Sequence, residues 1–345
     1  MPVASPSVLE AEAATGSEFA PLLRQVRERG LLRRRHGYYA WTIGANFLAL
    51  AALWTGVLIS RGTWWVLLLA VPMAVISGRT AFVGHDAGHQ QISGNRKVNR
   101  ALGLIHGDLL LGMGYGWWND KHNRHHAHPN HVGKDPDVEV GALVWTRAQA
   151  VEREGFARFL TKYQAWLFFP MLLLEGVALK VASVRDLRRL PLPERRVEGA
   201  LMAAHLVLYV SLLLSAMPVG TAVAFAALHH ALFGLHLGCA FAPNHKGMEM
   251  PRDDERWGHL RRQVLTSRDV RGGRVTDWLL GGLNYQVEHH LFPSMPRPHL
   301  RIVQPLVREH CARLGVPYTE AGPLESYAQA LGHMHAVGAP LRRAR

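Results

Sequence analysis

The chain has 345 residues, with 39 Lys plus Arg against 26 Asp plus Glu and a formal net charge of +13. Its two cysteines, Cys239 and Cys311, support neither a disulfide framework nor a thiolate zinc site, so metal chemistry must run on its 21 histidines. A mean hydropathy of -0.01 suits a soluble protein, yet it averages long uncharged blocks with basic segments lying between them.

In chain order, residues 1–22 lack a basic start followed by a short apolar core, and residues 1–37 read as a flexible basic N-terminal region. Residues 38–60 carry no charge and have the length of roughly 20 residues that crosses a hydrocarbon core. A turn at Arg61-Gly62-Thr63 leads into 64–84, where Pro72 is tolerable inside lipid and Arg79 can snorkel. The apolar run 166–182 is interrupted by Pro170, Glu175 and Lys180 and reads as an interfacial helix. Residues 199–217 and 219–242, separated by Pro218, form a second hairpin. The expected architecture is therefore an all-α integral membrane fold. Four transmembrane helices form two hairpins, joined by interfacial helices and a cytoplasmic histidine-bearing cap. The membrane domain spans 38–310 and a cytoplasmic tail covers 311–345.

The basic surplus follows the membrane boundary. Arg24 to Arg35, Arg96 to Arg100, Arg185 to Arg196 and Arg252 to Arg274 all flank the hairpins, and only Arg61 lies in a hairpin turn. The positive-inside rule then makes all four segments and both termini cytoplasmic. Nucleic acid is disfavoured as a partner, because the charge is not interleaved with aromatic or glycine stacking motifs.

The histidines fall into four groups. His85 and His89 stand at i and i+4. His122, His125 and His126 stand at i, i+3 and i+4, and Gln286, His289 and His290 repeat that spacing. His245 closes the fourth span. On a helix such spacings share one face, so each group offers imidazoles to a common point. Four spans put all of them at the cytoplasmic edge, whereas a fifth span at 166–182 would move His245, His289 and His290 to the other side. Eight imidazoles without cysteine suit iron, zinc or copper, and eight ligands suit two ions. Asp86 and Glu288 are candidates to orient imidazoles from behind, and Asn284 is a further candidate supporting group. Asn123, Asn130, Asp135 and Asp137 read as loop and supporting groups. Trp117, Trp118 and His236 are candidate pocket walls. His229, His230 and His236 lie within the fourth span, where haem binding, a substrate path or a helix contact are all open. His128 and His131 are left undecided, and His36, His106, His205, His259, His299, His310, His333 and His335 read as hydrogen-bonded polar residues.

At these groups the chain resembles the membrane fatty-acid desaturase family, which carries boxes of the forms HxxxH, HxxHH and H/QxxHH between helical hairpins. The matching residues are His85 to His89, His122 to His126 and Gln286 to His290, with His245 matching the extra histidine after the last span. The resemblance covers about residues 38–310. It implies a non-haem centre of two iron ions that uses O2 and two electrons to introduce a double bond into a long acyl chain. Gln286 in the third box resembles front-end desaturases, and as a weaker ligand than imidazole it implies a weak or water-mediated metal contact. No HPGG haem signature precedes the first span, so a separate electron donor, a ferredoxin or similar with its reductase, is expected. The implied substrate is an acyl-CoA or acyl-lipid. A hydroxylase or ketolase on the same scaffold, and a non-enzymatic membrane metal or haem protein, are the alternatives.

Overall fold

The computed structural model describes residues 17–343, and these are almost entirely helical. Helix α1 (Ala20–Glu28) precedes two long apolar helices, α2 (His36–Ile59) and α3 (Ala70–Gly88), the latter entered through a 3-10 segment, Trp64–Leu69. Next come α4 (Arg96–Leu104), a π-helical turn (Ile105–Leu109), α5 (Tyr115–Ala127), α6 (Arg147–Val151) and α7 (Gly155–Lys162). Three more long helices follow: α8 (Gln164–Asp186), α9 (Leu192–Ala216) and α10 (Val219–His245). The remainder is α11 (His259–Leu265), α12 (Arg274–Leu279), α13 (Gln286–Leu291), α14 (Arg297–Arg313) and α15 (Pro323–Arg343), with a two-residue parallel pair of Asp269–Val270 and Glu320–Ala321.

Among the described residues five helical segments are long and apolar enough to cross a membrane: 36–59, 64–88, 164–189, 192–216 and 219–245. Helix α2 turns Trp41, Leu48 and Ile59 outward, as a lipid-facing helix does. The two hairpins extend further than the sequence predicts, because the ends of α3 and α10 run into the cap and carry His85 and His245 out with them. The segment expected to be an interrupted interfacial helix is instead one continuous 23-residue helix. Pro170 sits near its start and removes only the bond to Trp166, while Glu175 faces an internal cavity and Lys180 donates to Leu111 O.

Helices α8 and α10 run antiparallel in close contact. Phe168 shares an apolar cluster with Ala242, Leu172 lies against Gly238, and Gly176 against Gly234. A Cβ on Gly234 would meet Gly176 N at 2.5 Å and Leu172 O at 2.6 Å, both rigid backbone atoms. Gly234→Ala should therefore push the helices apart and destabilise the fold by about 1–3 kcal/mol, read as a lower thermal midpoint in detergent. An unchanged midpoint would show that the helix contact tolerates a methyl group.

One end of the molecule is closed by Val57, Val66, Met73, Leu213, Ala216 and Phe225, where the turn between α2 and α3 meets the end of α9. At the other end lies a polar-surfaced cap whose core holds Leu22, Val26, Leu260, Val287, Leu300 and Val303. Residues 1–16 of the expected flexible N-terminal region lie outside the described residues, but from 17 onward the expectation fails. Helix α1 buries Leu22 and Val26 in the cap, since an amphipathic face four residues apart finds an apolar partner in α14. The C-terminal segment is likewise not an appendage. Ala330, Met334, Val337 and Leu341 form a buried stripe of α15 against the body.

Candidate metal centre

The imidazoles come together at the junction of the long helices and the cap. Two groups offer ligand atoms lying within 4.8 Å of one another: His85, His89, His122 and His289, and separately His125, His245 and His290. His126 lies between them, its ring stacked on His290 at 4.1 Å and its Nε2 at 3.1 Å from His122 Nε2. All eight predicted histidines therefore converge, although four chain segments supply them.

The helical spacing explains the local part. In α5 the i, i+3 and i+4 positions turn His122, His125 and His126 to one side. What fixes the rings is a set of acceptors behind them. His85 Nδ1 lies 3.2 Å from Asp86 Oδ1, His125 Nδ1 2.9 Å from Asp135 Oδ2, His245 Nδ1 2.9 Å from Thr266 O, and His290 Nδ1 2.9 Å from Gln263 Oε1. Gln263 donates its amide to His126 O, which orients its oxygen toward His290. Each acceptor demands a proton on Nδ1 and leaves a lone pair on Nε2, facing inward.

Except at His245, whose Nε2 lies 2.8 Å from Gln286 Nε2, those lone pairs have no donor to meet. His85 Nε2, His89 Nε2, His290 Nε2 and both nitrogens of His289 are buried without a hydrogen-bond partner, and His125 Nε2 faces His245 Nε2 at 3.3 Å. Each such buried nitrogen costs about 1–3 kcal/mol, and opposed lone pairs repel. A divalent cation between them would take one nitrogen of each facing ring as a ligand, so the donor set fits a metal.

Asp86, beside His85, is itself anchored, accepting from Tyr39 OH at 3.1 Å and Arg297 Nη2 at 2.5 Å. Glu288 does not orient an imidazole. As a helical neighbour of His289 it points away, accepting from Tyr318 OH at 2.9 Å beside buried Asp269. Asn284 donates to Asp277 and touches no cluster ring through its side chain. Trp117 and Trp118 line the cavity, with Trp118 stacked on His122 at 4.5 Å. His236 does not line it, and bonds to Leu279 O at 2.8 Å. His229 is held by Ser77 and Tyr209, and His230 by Ala226 O, contacts of the helix-to-helix kind. His131 binds Val132 O outside the cluster. His106, His205, His299, His310 and His333 each bond a main-chain carbonyl, as read from sequence. Sequence reasoning missed Gln263, Thr266, Arg297 and Asn244. Only Asp135, in the loop after the second box, carried a local signal.

The cavity beside the cluster has a volume of about 270 Å³ and is walled by Leu111, Met113, Phe168, Leu172, Leu237 and Phe241. His85, His122, His125 and His245 form its polar end. Lys121 pairs with Asp137 there, which holds the Asp137 carboxyl well below the usual range.

Burial, followed by the neighbouring imidazoles, holds His89, His122, His126, His289 and His290 well below the ordinary imidazole value. Folded, they are neutral; in the unfolded chain they take up protons below a pKa of about 6.5. The unfolded state thus binds more protons at low pH, and stability falls as pH drops. The metal-free protein should lose thermal stability between about pH 7.5 and 5.5, each titrating group contributing up to roughly 1.4 kcal/mol per pH unit. A midpoint independent of pH would contradict this burial.

Membrane-length apolar helices with an apolar cavity beside a polyhistidine cluster have the make-up of a membrane metalloprotein that takes an apolar ligand. The model of the family "Fatty acid desaturase" matches residues 62–322, and the chain belongs to that family, whose members are oxidoreductases acting in lipid metabolism. It is 29% identical over 327 residues to Delta(8)-fatty-acid desaturase 2 of Arabidopsis thaliana, covering 87% of this chain and 70% of the relative. It is 29% identical to the acyl-lipid (9-3)-desaturase of Physcomitrium patens, covering 87% and 60%. It is 31% identical over 261 residues to a Delta(5) fatty acid desaturase of Caenorhabditis elegans, covering 72% and 58%. The chain thus spans a little under to a little over two thirds of the length of these relatives. The family implies iron, and the histidine clusters are able to bind a metal.

Proposed function

We propose that this chain is a front-end acyl desaturase holding two iron ions at the cytoplasmic edge of the membrane. The carrying observation is the meeting of eight imidazoles from four segments, seven of them buried, beside an apolar cavity that His85, His122, His125 and His245 line. His85, His89, His122 and His289 hold one ion, His125, His245 and His290 hold the other, and His126 lies between them. Iron there supplies the oxygen activation that an unactivated methylene requires, since such a carbon has no acidic proton for a general base.

The protein's own residues do the rest. Leu111, Leu172, Leu237 and Phe241 bind the chain and exclude water, Trp118 packs His122 in place, and Asp86, Asp135, Gln263 and Thr266 hold the imidazole protons outward. An acyl-lipid or acyl-CoA is the substrate, in keeping with the names of the relatives, and the Delta(8), Delta(5) and (9-3) activities in those names, together with the Gln-type third box, favour the front-end class.

Four spans, α2, α3, α9 and α10, support this orientation. Helix α8 has Phe168 beside Ala242 at one end and Ser183 beside Gly114 at the other, while Glu198 in early α9 accepts from Gly116 N at 3.0 Å. On our reading both ends of α8 stay on the cluster's side, and the chain crosses only afterwards, through α9. The basic flanks then make that side cytoplasmic. Electrons come from a separate acidic carrier of the ferredoxin type, steered by the +13 charge.

The test is expression in a host with a simple lipid profile, with mass spectrometry of the acyl chains. Products lacking two hydrogens, with the new bond between an existing one and the carboxyl end, are expected. Products carrying an added oxygen atom would make the chain a hydroxylase or ketolase instead.

A further inference from the structure

Gln286 occupies the position of an imidazole in the third box, yet its amide is turned the wrong way to be a ligand. Its Oε1 accepts from Asn244 Nδ2 at 3.1 Å, and its Nε2 lies 2.8 Å from His245 Nε2. Asn244 fixes this choice, because its Nδ2 also faces Ala240 O at 2.9 Å and Leu283 O at 3.0 Å, its two hydrogens being shared among three oxygen acceptors. Reversing Asn244 would set its oxygen against two carbonyl oxygens, so the nitrogen must face Gln286, and Gln286 must answer with oxygen. His245 agrees with this assignment. Its Nδ1 bonds Thr266 O, so its Nε2 is a lone pair that receives a proton donor.

We propose that Gln286 is a hydrogen-bond donor into the metal centre and not a ligand, with Asn244 the positioning residue that holds it so. The inference rests on the two-ion reading above. An amide NH2 offers two hydrogens and no lone pair to a cation. An ion held by His125, His245 and His290 would leave room for a further ligand, and Gln286 would be placed to donate to an oxygen atom bound there. This residue keeps the position exchangeable where a fourth imidazole would close it. Both side chains are buried, so no bulk water competes for the amide.

The test is a chelator titration of the purified full chain loaded with Co2+, reading ions per chain and the chelator concentration that removes half. Gln286→Met, which keeps length and volume, should retain the wild-type ion number with a half-removal point within about twofold, whereas Gln286→His should need at least about tenfold more chelator. Loss of an ion from Gln286→Met, or a half-removal point about tenfold lower, overturns the proposal. Asn244→Leu releases the amide to turn its oxygen inward, so this variant should resist chelator more than wild type, and the double variant Asn244→Leu/Gln286→Met should not. Equal behaviour of Asn244→Leu and wild type overturns the positioning role, and this pair decides the matter alone should Gln286→Met fail to fold. Wild type that binds no Co2+ would instead sink the two-ion reading itself.

Discussion

His289→Ala is expected to lower product formation by at least about a hundredfold and to release metal, because a direct ligand should exceed the 10–100-fold effect of an outer partner. His289 is the sharpest test in the cluster. It is buried, both its ring nitrogens lack a protein partner, and its ring lies within 4.8 Å of His85, His89 and His126. A residue with no protein hydrogen bond has little structural work to lose, and shortening it also removes an unsatisfied polar group. The variant should therefore fold as well as wild type, with a thermal midpoint for the metal-free form that is equal or higher. The measurements are acyl-chain analysis and metal per chain on the same preparation. Full activity, or full metal with no activity, would remove His289 from the ligand set.

Arg297→Ala is expected to act through stability. Its guanidinium, at the start of α14, donates to Asp86 Oδ2 at 2.5 Å and to Phe82 O at 2.9 Å, both on α3, and the pair is almost fully buried. Removing one partner of a buried ion pair leaves an uncompensated charge and costs about 3–5 kcal/mol. Here the orphaned charge is the carboxylate that orients His85, so the loss of stability should come with weaker metal retention. Thermal unfolding with and without bound metal measures both. Asp86→Asn in the same background should recover part of the stability, since it removes the charge that Arg297 neutralised. An Arg297→Ala midpoint equal to wild type would mean that the cap is not tied to the membrane helices through this pair.

The two substitutions separate what was legible in the chain from what was not. The boxes announce themselves because imidazoles at i, i+3 and i+4 are rare and share a helix face, so His122, His125, His126, His289 and His290 are readable locally. The apolar spans are readable for the same kind of reason, a run of residues with no charge. Arg297 is not readable. It lies 211 residues from Asp86, in a basic stretch that looks like any solvated tail. Gln263 is equally silent, 27 residues before the imidazole it orients. Glu288 misled for the converse reason: adjacency in sequence suggested support for His289, but consecutive residues on a helix face different ways.

By itself, then, the sequence determined the composition of the centre, the helical nature of the fold and the membrane character of its long segments, because each depends on short-range periodicity or on charge along a contiguous run. The tertiary structure decided which nitrogen of each ring faces inward, that α1 and α15 belong to the packed body, and that α8 is one continuous helix against α10. Those outcomes depend on partners far apart in the chain, and a hydrogen bond or a methyl-sized gap between helices has no signature until both sides are brought into contact.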